Sequence, residues 1–354
     1  MATEIAAIGP EHRAVMRRFS ARTWQRPRTE AFYRWRYDDC PTLTGYLALR
    51  DGECVAMATG FVRPYRIGSE TVTVRESFDW FCLPEYRRAG LGVRVMQRMM
   101  ADPDPITVIG GTADTRDLLP RLGFKIPGEV VGYVLPLGSR RAAEALRTRA
   151  RVPRPLTRAA FTVLGPVLAP RRRAAPRDGR LLPVAAAGPE IEALYAKARS
   201  YGSFPLWRLD QLRWVSQGFA GIGQFLTLYF VRGDALAGWG LLRIHEAPGA
   251  GLAARIVDLF APEPDADLFT WMVSEASCLA AAYRPDFVAA SATHPLLAQA
   301  LRRNRFRAMR DGAPIHFWSR DRETLPGPLF FGGSWGDAPL LPYPTRWWEG
   351  LEGA

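Results

Sequence analysis

Lysine is nearly absent from this chain: Lys125 and Lys197 are the only lysines among 47 basic residues. Positive charge is therefore carried by arginine, a bias that genome base composition also imposes, and the net charge of +12 is discounted accordingly. Cysteine and histidine are scarce as well. Cys40, Cys54, Cys82 and Cys278 show no C-x-x-C spacing, and His12, His245, His294 and His316 are scattered. The expectation is reduced structural thiols and no metal site. No uninterrupted apolar run approaches the roughly 20 residues that a membrane-spanning helix needs. Met1 is not followed by the basic, apolar and small-residue order of a secretion signal, so a cytoplasmic protein is expected. The basic surplus is also local. Between Arg140 and Arg180 stand twelve arginines against Glu144 and Asp178. Without interleaved aromatics or a recognition module, that stretch does not point to specific nucleic-acid binding.

What is present suffices for two domains: 354 residues, 48% of them hydrophobic. The sharpest local signal is Arg87-Arg88-Ala89-Gly90-Leu91-Gly92. Arg75 to Leu83 reads as a strand, Pro84-Glu85-Tyr86 interrupts it, and Gly92 to Met100 carries apolar residues at helical spacing. The glycines thus stand where a helix begins. Amides there lack intrahelical acceptors and feel the positive end of the helix dipole, so the loop reads as a backbone cradle for a diphosphate.

Pro84 to Gly92 resembles the acyl-coenzyme-A loop of the GCN5-related N-acetyltransferases (GNAT), whose signature is Gln/Arg-x-x-Gly-x-Gly/Ala. A second family feature follows: the strand-like Ile106-Thr107-Val108-Ile109, then Asp114 to Leu122, then Gly123-Phe124. The resemblance covers about residues 20 to 137. It implies an acetyl-CoA (acyl-CoA) co-substrate whose pyrophosphate meets Arg87, Arg88, Ala89, Gly90, Leu91 and Gly92. The pantetheine arm would lie in a gap where the strand Thr71 to Leu83, ending in Cys82 and Leu83, diverges from Ile106 to Ile109. Asp114 stands where the family often has an asparagine near the cofactor; a helix N-cap is its structural alternative.

The landmarks of the first half recur in the second. Trp35 to Asp79 and Trp214 to Asp258 are both 44 residues, with β-rich runs and turn chemistry at Arg50-Asp51-Gly52-Glu53 and Arg232-Gly233-Asp234 inside the interval. The expected fold class is α/β (α+β), with two tandem GNAT-like domains, each a mixed, mostly antiparallel twisted sheet flanked by helices. Mycothiol synthase is a tandem member of this kind. The boundaries are 1–138 for the N-terminal domain, 139–182 for a basic Arg/Pro-rich connector, 183–323 for a degenerate C-terminal domain and 324–354 for a Gly/Pro/aromatic tail. Degeneracy is read from Ala261 to Asp267, which has no glycine and adds acids and prolines where amides should face a phosphate. One cofactor site is therefore expected. The apolar Ala159 to Ala169, bracketed by arginines, is either a mobile linker or a peripheral membrane contact within 140–180.

For amine acylation, Glu76 and Asp79 are the candidate catalytic acids, on opposite faces of one strand. Glu76 stands eleven residues before Arg87, which resembles the spacing of the catalytic glutamate in histone-acetylating family members, and is assigned the base. Asp79 recurs as Asp258 in the half without a phosphate loop, so its role is read as chiefly structural. The tyrosine that often protonates the leaving thiolate is replaced by Leu119, leaving Tyr133 or water. Trp35, Trp80, Trp207 and Trp214 are either core residues or the lining of a cleft. The leading function is N-acylation, most simply acetylation, of a small-molecule or envelope-precursor amine. Two alternatives stay open: an acyltransferase acting on a cell-envelope or lipid-linked sugar at the membrane face, and a non-catalytic acyl-CoA sensor or scaffold.

Overall fold

A computed structural model describes residues 3–24, 28–137, 170–247, 251–310 and 312–333. Most of the basic connector, with Ala159 to Ala169, and the tail beyond 333 lie outside the described residues. The chain begins with β1 (Glu4–Ala7), α1 (Arg13–Thr23) and α2 (Glu30–Tyr33), which runs into a π-turn at Arg34–Asp38. Three long strands follow, β2 (Leu43–Arg50), β3 (Glu53–Ile67) and β4 (Glu70–Cys82), each antiparallel to the last. Then come α3 (Pro84–Arg87), α4 (Leu91–Met100), β5 (Ile106–Ile109), α5 (Ala113–Arg121) and β6 (Lys125–Pro136).

The second half opens with β7 (Gly179–Val184), α6 (Glu190–Lys197), β8 (Ser203–Pro205) and α7 (Leu209–Gln217). It then repeats the succession of the first half as β9 (Gln224–Arg232), β10 (Ala235–Ala247), β11 (Gly251–Phe260), α8 (Ala266–Ala282), β12 (Phe287–Ala292) and α9 (Pro295–Arg303). The chain closes on β13 (Arg307–Ala308) and β14 (Ala313–Trp318). The hairpin turns fall where the sequence placed them. Asp51, Gly52 and Gly233 all take the left-handed conformation that tight strand reversals demand.

All fourteen strands join one mostly antiparallel sheet with helices packed on it, in the order β1-β2-β3-β4-β5-β14-β6-β12-β11-β10-β9-β7, with β13 on β6 and β8 on β3. The parallel pairs are β4 with β5 and β11 with β12. Chain order and spatial order part at the centre. β14, from the second half, lies between β5 and β6, while β6 pairs with β12. Each half thus lends its closing strand to the other, so the segments 1–138 and 183–323 interlock through the sheet.

A tryptophan pair closes the seam. Trp35 and Trp214 stack with ring centroids 5.0 Å apart, and each indole N–H donates to the other's carbonyl, at 3.0 and 2.9 Å. Both are buried, as is Trp207, so these three are core residues at the junction of the halves. Helix α4 buries Leu91, Val95, Met96 and Met99, the face its periodicity predicted. Each such side chain contributes about 1.5–3 kcal/mol when fully buried. Helix α8 instead buries residues around most of its circumference, from Leu268 to Ala280, because it packs against both the sheet and α9.

Candidate active site

The parallel contact between β4 and β5 is brief. Only Arg75 with Ile106 and Glu76 with Thr107 are in register, while β4 continues to Cys82. Beyond that point the strands splay, as the family resemblance implied, and the gap is a cleft of about 430 Å³. Glu76, Asp79, Trp80 and Thr107 line it, and Gly110 and Gly111 close one end. A bulge reinforces the splay. Thr59 pairs with Phe78 and Met57 with Phe81, so Asp79 and Trp80 together face Ala58, with Asp79 at φ 48°. The Trp80 indole donates to Gly92 O at 2.7 Å, tying the bulge to the start of α4.

Gly90 is the N-cap of α4 at φ 70°, ψ 16°, with no side-chain capping bond. Two loop amides are spent on the turn, Ala89 N to Tyr86 O and Gly90 N to Arg87 O. The helical ladder starts with Arg94 N to Gly90 O. The two glycines are needed for different reasons. At Gly90 an added Cβ would meet nothing within 4 Å, so its positive φ is the constraint. At Gly92 it would stand 3.1 Å from Cys82 Cβ, so close packing of α4 on β4 is the constraint. Burial raises the Cys82 thiol above its usual range, offset in part by the Gly92 amide.

The remaining loop residues surround this helix end. Arg87 and Arg88 are exposed, as is Ala89, while Leu91 is buried beneath. Arg87 Nε donates to Cys82 O at 3.3 Å, and the Leu83 amide donates to Val55 O at 3.0 Å. Both backbone groups are thus engaged, and the stretch of β4 that faces the gap lies further back, from Glu76 to Trp80. Arg87 also stands 4.0 Å from the Asp114 carboxylate, across the mouth of the cleft. Asp114 is not the helix cap. Thr112 caps α5, accepting from Thr115 N at 3.3 Å, and Asp114 sits exposed in the first turn.

Glu76 is 2% exposed. Its Oε1 accepts from Tyr65 Oη at 2.6 Å and from Arg63 Nη1 at 3.2 Å. Tyr65 Oη also stands 3.3 Å from Thr107 Oγ1. Arg63 lies 4.2 Å above the Trp207 ring, and Trp207 Nε1 donates to Asp258 Oδ2 at 2.9 Å. Burial, and then the neighbouring Glu76 charge, push the Tyr65 hydroxyl well above its usual range. Arg75, the neighbour of Glu76 in the chain, does not meet it. Consecutive strand residues face opposite sides, and Arg75 pairs with Asp102 and Asp104 at 2.8 and 3.3 Å.

Asp79 accepts from Arg36 Nε at 3.0 Å and from Tyr37 Oη at 2.7 Å. The Arg36 guanidinium also covers the Phe78 ring at 4.5 Å, so Phe78 and Asp79 reach the same partner. Strict alternation, which would set Asp79 opposite the Glu76 and Phe78 face, does not survive the bulge. Arg36, Tyr37, Arg63 and Tyr65 are the residues of this site that sequence reasoning missed. Their signal was faint: charged and phenolic groups in otherwise apolar runs.

Leu119 is fully buried in the core. Tyr133 sits on β6 opposite Ala290 and Ala308, beneath Arg302 at 5.7 Å, and does not line the cleft. No group of three or more His, Cys, Asp or Glu residues that could hold a metal occurs among the described residues. Nor is any described helix long and apolar enough to cross a membrane.

The second half carries the same splay without the opening. β11 and β12 are in register only from Ala253 with Phe287 to Arg255 with Ala289. The residue corresponding to Glu76 is Arg255. The space beyond is about 10 Å³, bounded by Asp258, Ser291, Gly332 and Gly333. The chain after β14 fills it: Arg255 Nη2 donates to Gly333 O at 3.1 Å, and Thr293 N to Phe331 O at 3.1 Å. The start of α8 is also satisfied internally. Asp265 Oδ1 accepts from the amides of Asp267 and Leu268, each at 2.9 Å, where α4 offers only a glycine.

Residues 11–102 match the model of the acetyltransferase (GNAT) family. No curated protein sequence matches the chain. Similar solved structures extend over nearly the whole chain. A conserved Enterococcus faecalis protein of unknown function, described as a probable N-acyltransferase, superposes with a TM-score of 0.61 at 11% identity, covering 90% of this chain and 72% of its own. A GCN5-related N-acetyltransferase from Anabaena variabilis gives 0.62 at 10% identity, covering 89% and 72%. The Saccharomyces cerevisiae N-myristoyltransferase with bound myristoyl-CoA gives 0.55 at 11% identity, covering 89% and 82%. At these identities the likeness is one of fold. The glycine loop and β4 lie inside the segment that matches the GNAT acetyltransferase family, and over the rest of the chain the likeness is to the fold of such enzymes.

Proposed function

We propose that the protein is an acyl-CoA-dependent N-acyltransferase, with acetyl-CoA the donor and an amine the acceptor. The observation that carries this reading is the open cleft between β4 and β5 beside a helix start that no side chain caps. A diphosphate is the group such an end accepts, and Arg87 and Arg88 add positive charge at its rim. Gly90, Leu91 and Gly92 would hold the pyrophosphate with Ala89, and Asp114 would orient Arg87. The pantetheine arm would run past Cys82 and Leu83 into the gap, bringing the thioester beside Glu76.

In the reaction the amine nitrogen attacks the thioester carbonyl, the carbon–sulfur bond breaks, and the amine's proton must leave. Glu76 takes it, directly or through a water, by exchanging one of the hydrogen bonds it accepts from Arg63 and Tyr65. Asp79 holds the bulge through Arg36 and Tyr37 and so shapes the cleft. With Leu119 buried in the acid position, water protonates the thiolate, which is the less demanding step because a thiol is far more acidic than an amine. Calorimetric titration with acetyl-CoA, followed by coenzyme-A release against a panel of primary amines, tests the assignment. Tight binding without release for any amine would turn the reading to a sensor, and absence of binding would remove it altogether.

A further inference from the structure

We propose that the segment 325–333 is a positioning element for Glu76, acting through Phe331 and Tyr65. The inference rests on the reading of Glu76 as the base. Beyond filling the second cleft, this segment reaches Tyr65, which bonds a residue lining the first. Phe331 is 1% exposed and packs on the Tyr65 ring, with centroids 5.7 Å apart and planes at 59°. Tyr65 is fully buried, and its hydroxyl makes the 2.6 Å bond to Glu76.

Phe331 is itself pinned. Its amide donates to Thr293 Oγ1 at 2.8 Å, its carbonyl accepts from Thr293 N at 3.1 Å, and Thr293 Oγ1 donates to Leu329 O at 2.9 Å. The other side chains clustered with Tyr65 include Ile315 and Phe317 of β14 and Leu325. The exchanged strand and the segment after it thus supply much of the wall against which Tyr65 rests. A phenol so confined holds its hydroxyl between Glu76 Oε1 and Thr107 Oγ1, with the shorter bond, 2.6 Å, to the carboxylate. Phe330, the next residue back, turns the other way, onto Phe260, Phe269 and Tyr201. One segment therefore presents adjacent rings to two different cores, and only one of them touches the carboxylate's partner.

The test compares Phe331→Ala, Phe331→Leu and Phe330→Ala, with turnover expressed per coenzyme site titrated by calorimetry. Phe331→Ala should lower kcat about tenfold with KM for acetyl-CoA unchanged, the scale of one misdirected hydrogen bond to a charged group, and Phe331→Leu should restore most of it. Phe330→Ala should lower thermal stability and leave kcat per site at the wild-type value. Tyr65→Phe, which deletes only the hydroxyl, should reproduce the Phe331→Ala split in a chain that keeps its packing. A crystal structure of Phe331→Ala with acetyl-CoA supplies a readout independent of turnover: Tyr65 Oη should leave Glu76 Oε1. A retained 2.6 Å contact, an unchanged kcat, or an equal loss from Phe330→Ala would each overturn the proposal. Glu76→Gln separates the layers. Full turnover in that variant removes the base assignment and this inference with it, whereas lost turnover beside an unaffected Phe331→Ala removes the inference alone.

Discussion

Between β4 and β5 the sheet opens a cleft of about 430 Å³, while between β11 and β12, built from the same succession of strands, about 10 Å³ remains. The strands differ little in how they part, and the differences lie in what approaches them. At the first cleft the helix start carries Gly90 in a left-handed conformation and no capping side chain. At the second, the Asp265 carboxylate occupies the amides of α8, and Gly332 and Gly333 lie against β11. The glycines permit that approach: an added Cβ would stand 2.8 Å from Asp258 Oδ1 at Gly332 and 2.9 Å from Arg255 Nη2 at Gly333. A splayed pair of strands is thus a scaffold that can be left open for a ligand or closed by the chain itself.

The largest effect is expected at the seam both halves share. Trp214→Ala removes a buried ring and the indole bond it donates to Trp35 O, and should cost about 3–5 kcal/mol. Because the halves exchange strands, calorimetry should show a single transition moved to lower temperature. Two separate transitions would mean the halves are less interlocked than their sheet.

Glu76→Gln should lower turnover about a hundredfold or more with coenzyme affinity little changed, since it removes the proposed proton acceptor and leaves the helix end intact. Asp79→Asn should mainly lower thermal stability through its bonds to Arg36 and Tyr37. If Asp79→Asn lost turnover in a stably folded protein while Glu76→Gln kept it, the two carboxylates would exchange roles.

The glycine loop offers a sharper contrast. Gly92→Leu should abolish coenzyme binding, because a side chain 3.1 Å from Cys82 Cβ forces α4 off β4. Gly90→Ala should cost about 1 kcal/mol of stability by straining a left-handed position, and should weaken binding less. Undiminished affinity in a folded Gly92→Leu chain would show that the loop does not form the cradle.

The smallest effect belongs to the second helix start. Asp265→Ala should cost about 1 kcal/mol as its two amides lose their acceptor. Titration of wild type and variant alike should give one coenzyme per chain, because Gly332 and Gly333 still fill the second cleft. A second site appearing in the variant would show that the carboxylate, and not the returning chain, keeps that cleft from binding.

Much of the first cleft was legible in the sequence, because its determinants are neighbours in the chain. The interruption at Pro84, the glycines at 90 and 92 and the apolar spacing from Leu91 to Met99 each act within a few residues. The repeat was legible for a related reason, since Trp35 to Asp79 and Trp214 to Asp258 keep one interval. Alternation misplaced what local irregularity decides. Asp79 left its expected face because the bulge inserts a residue, and Asp114 lost the cap to Thr112, whose hydroxyl stands one residue before the helix.

The sequence by itself determined the strand and helix succession of each half, the helix start that no side chain caps, and the loss of that feature at Ala261 to Asp267. Only the tertiary structure decided that β14 enters between β5 and β6, that residues 325–333 fill one cleft and reach toward the other, and that Glu76 meets Arg63 and Tyr65 instead of Arg75. The division follows from range. Turn chemistry, capping and periodicity are set by groups a few positions apart, and the chain spells them out in order. Strand exchange, the closing of a cleft and the partners of a buried carboxylate depend on segments that meet only after folding, as Trp35 and Trp214 do across 179 positions, and no local pattern encodes which distant segment will arrive.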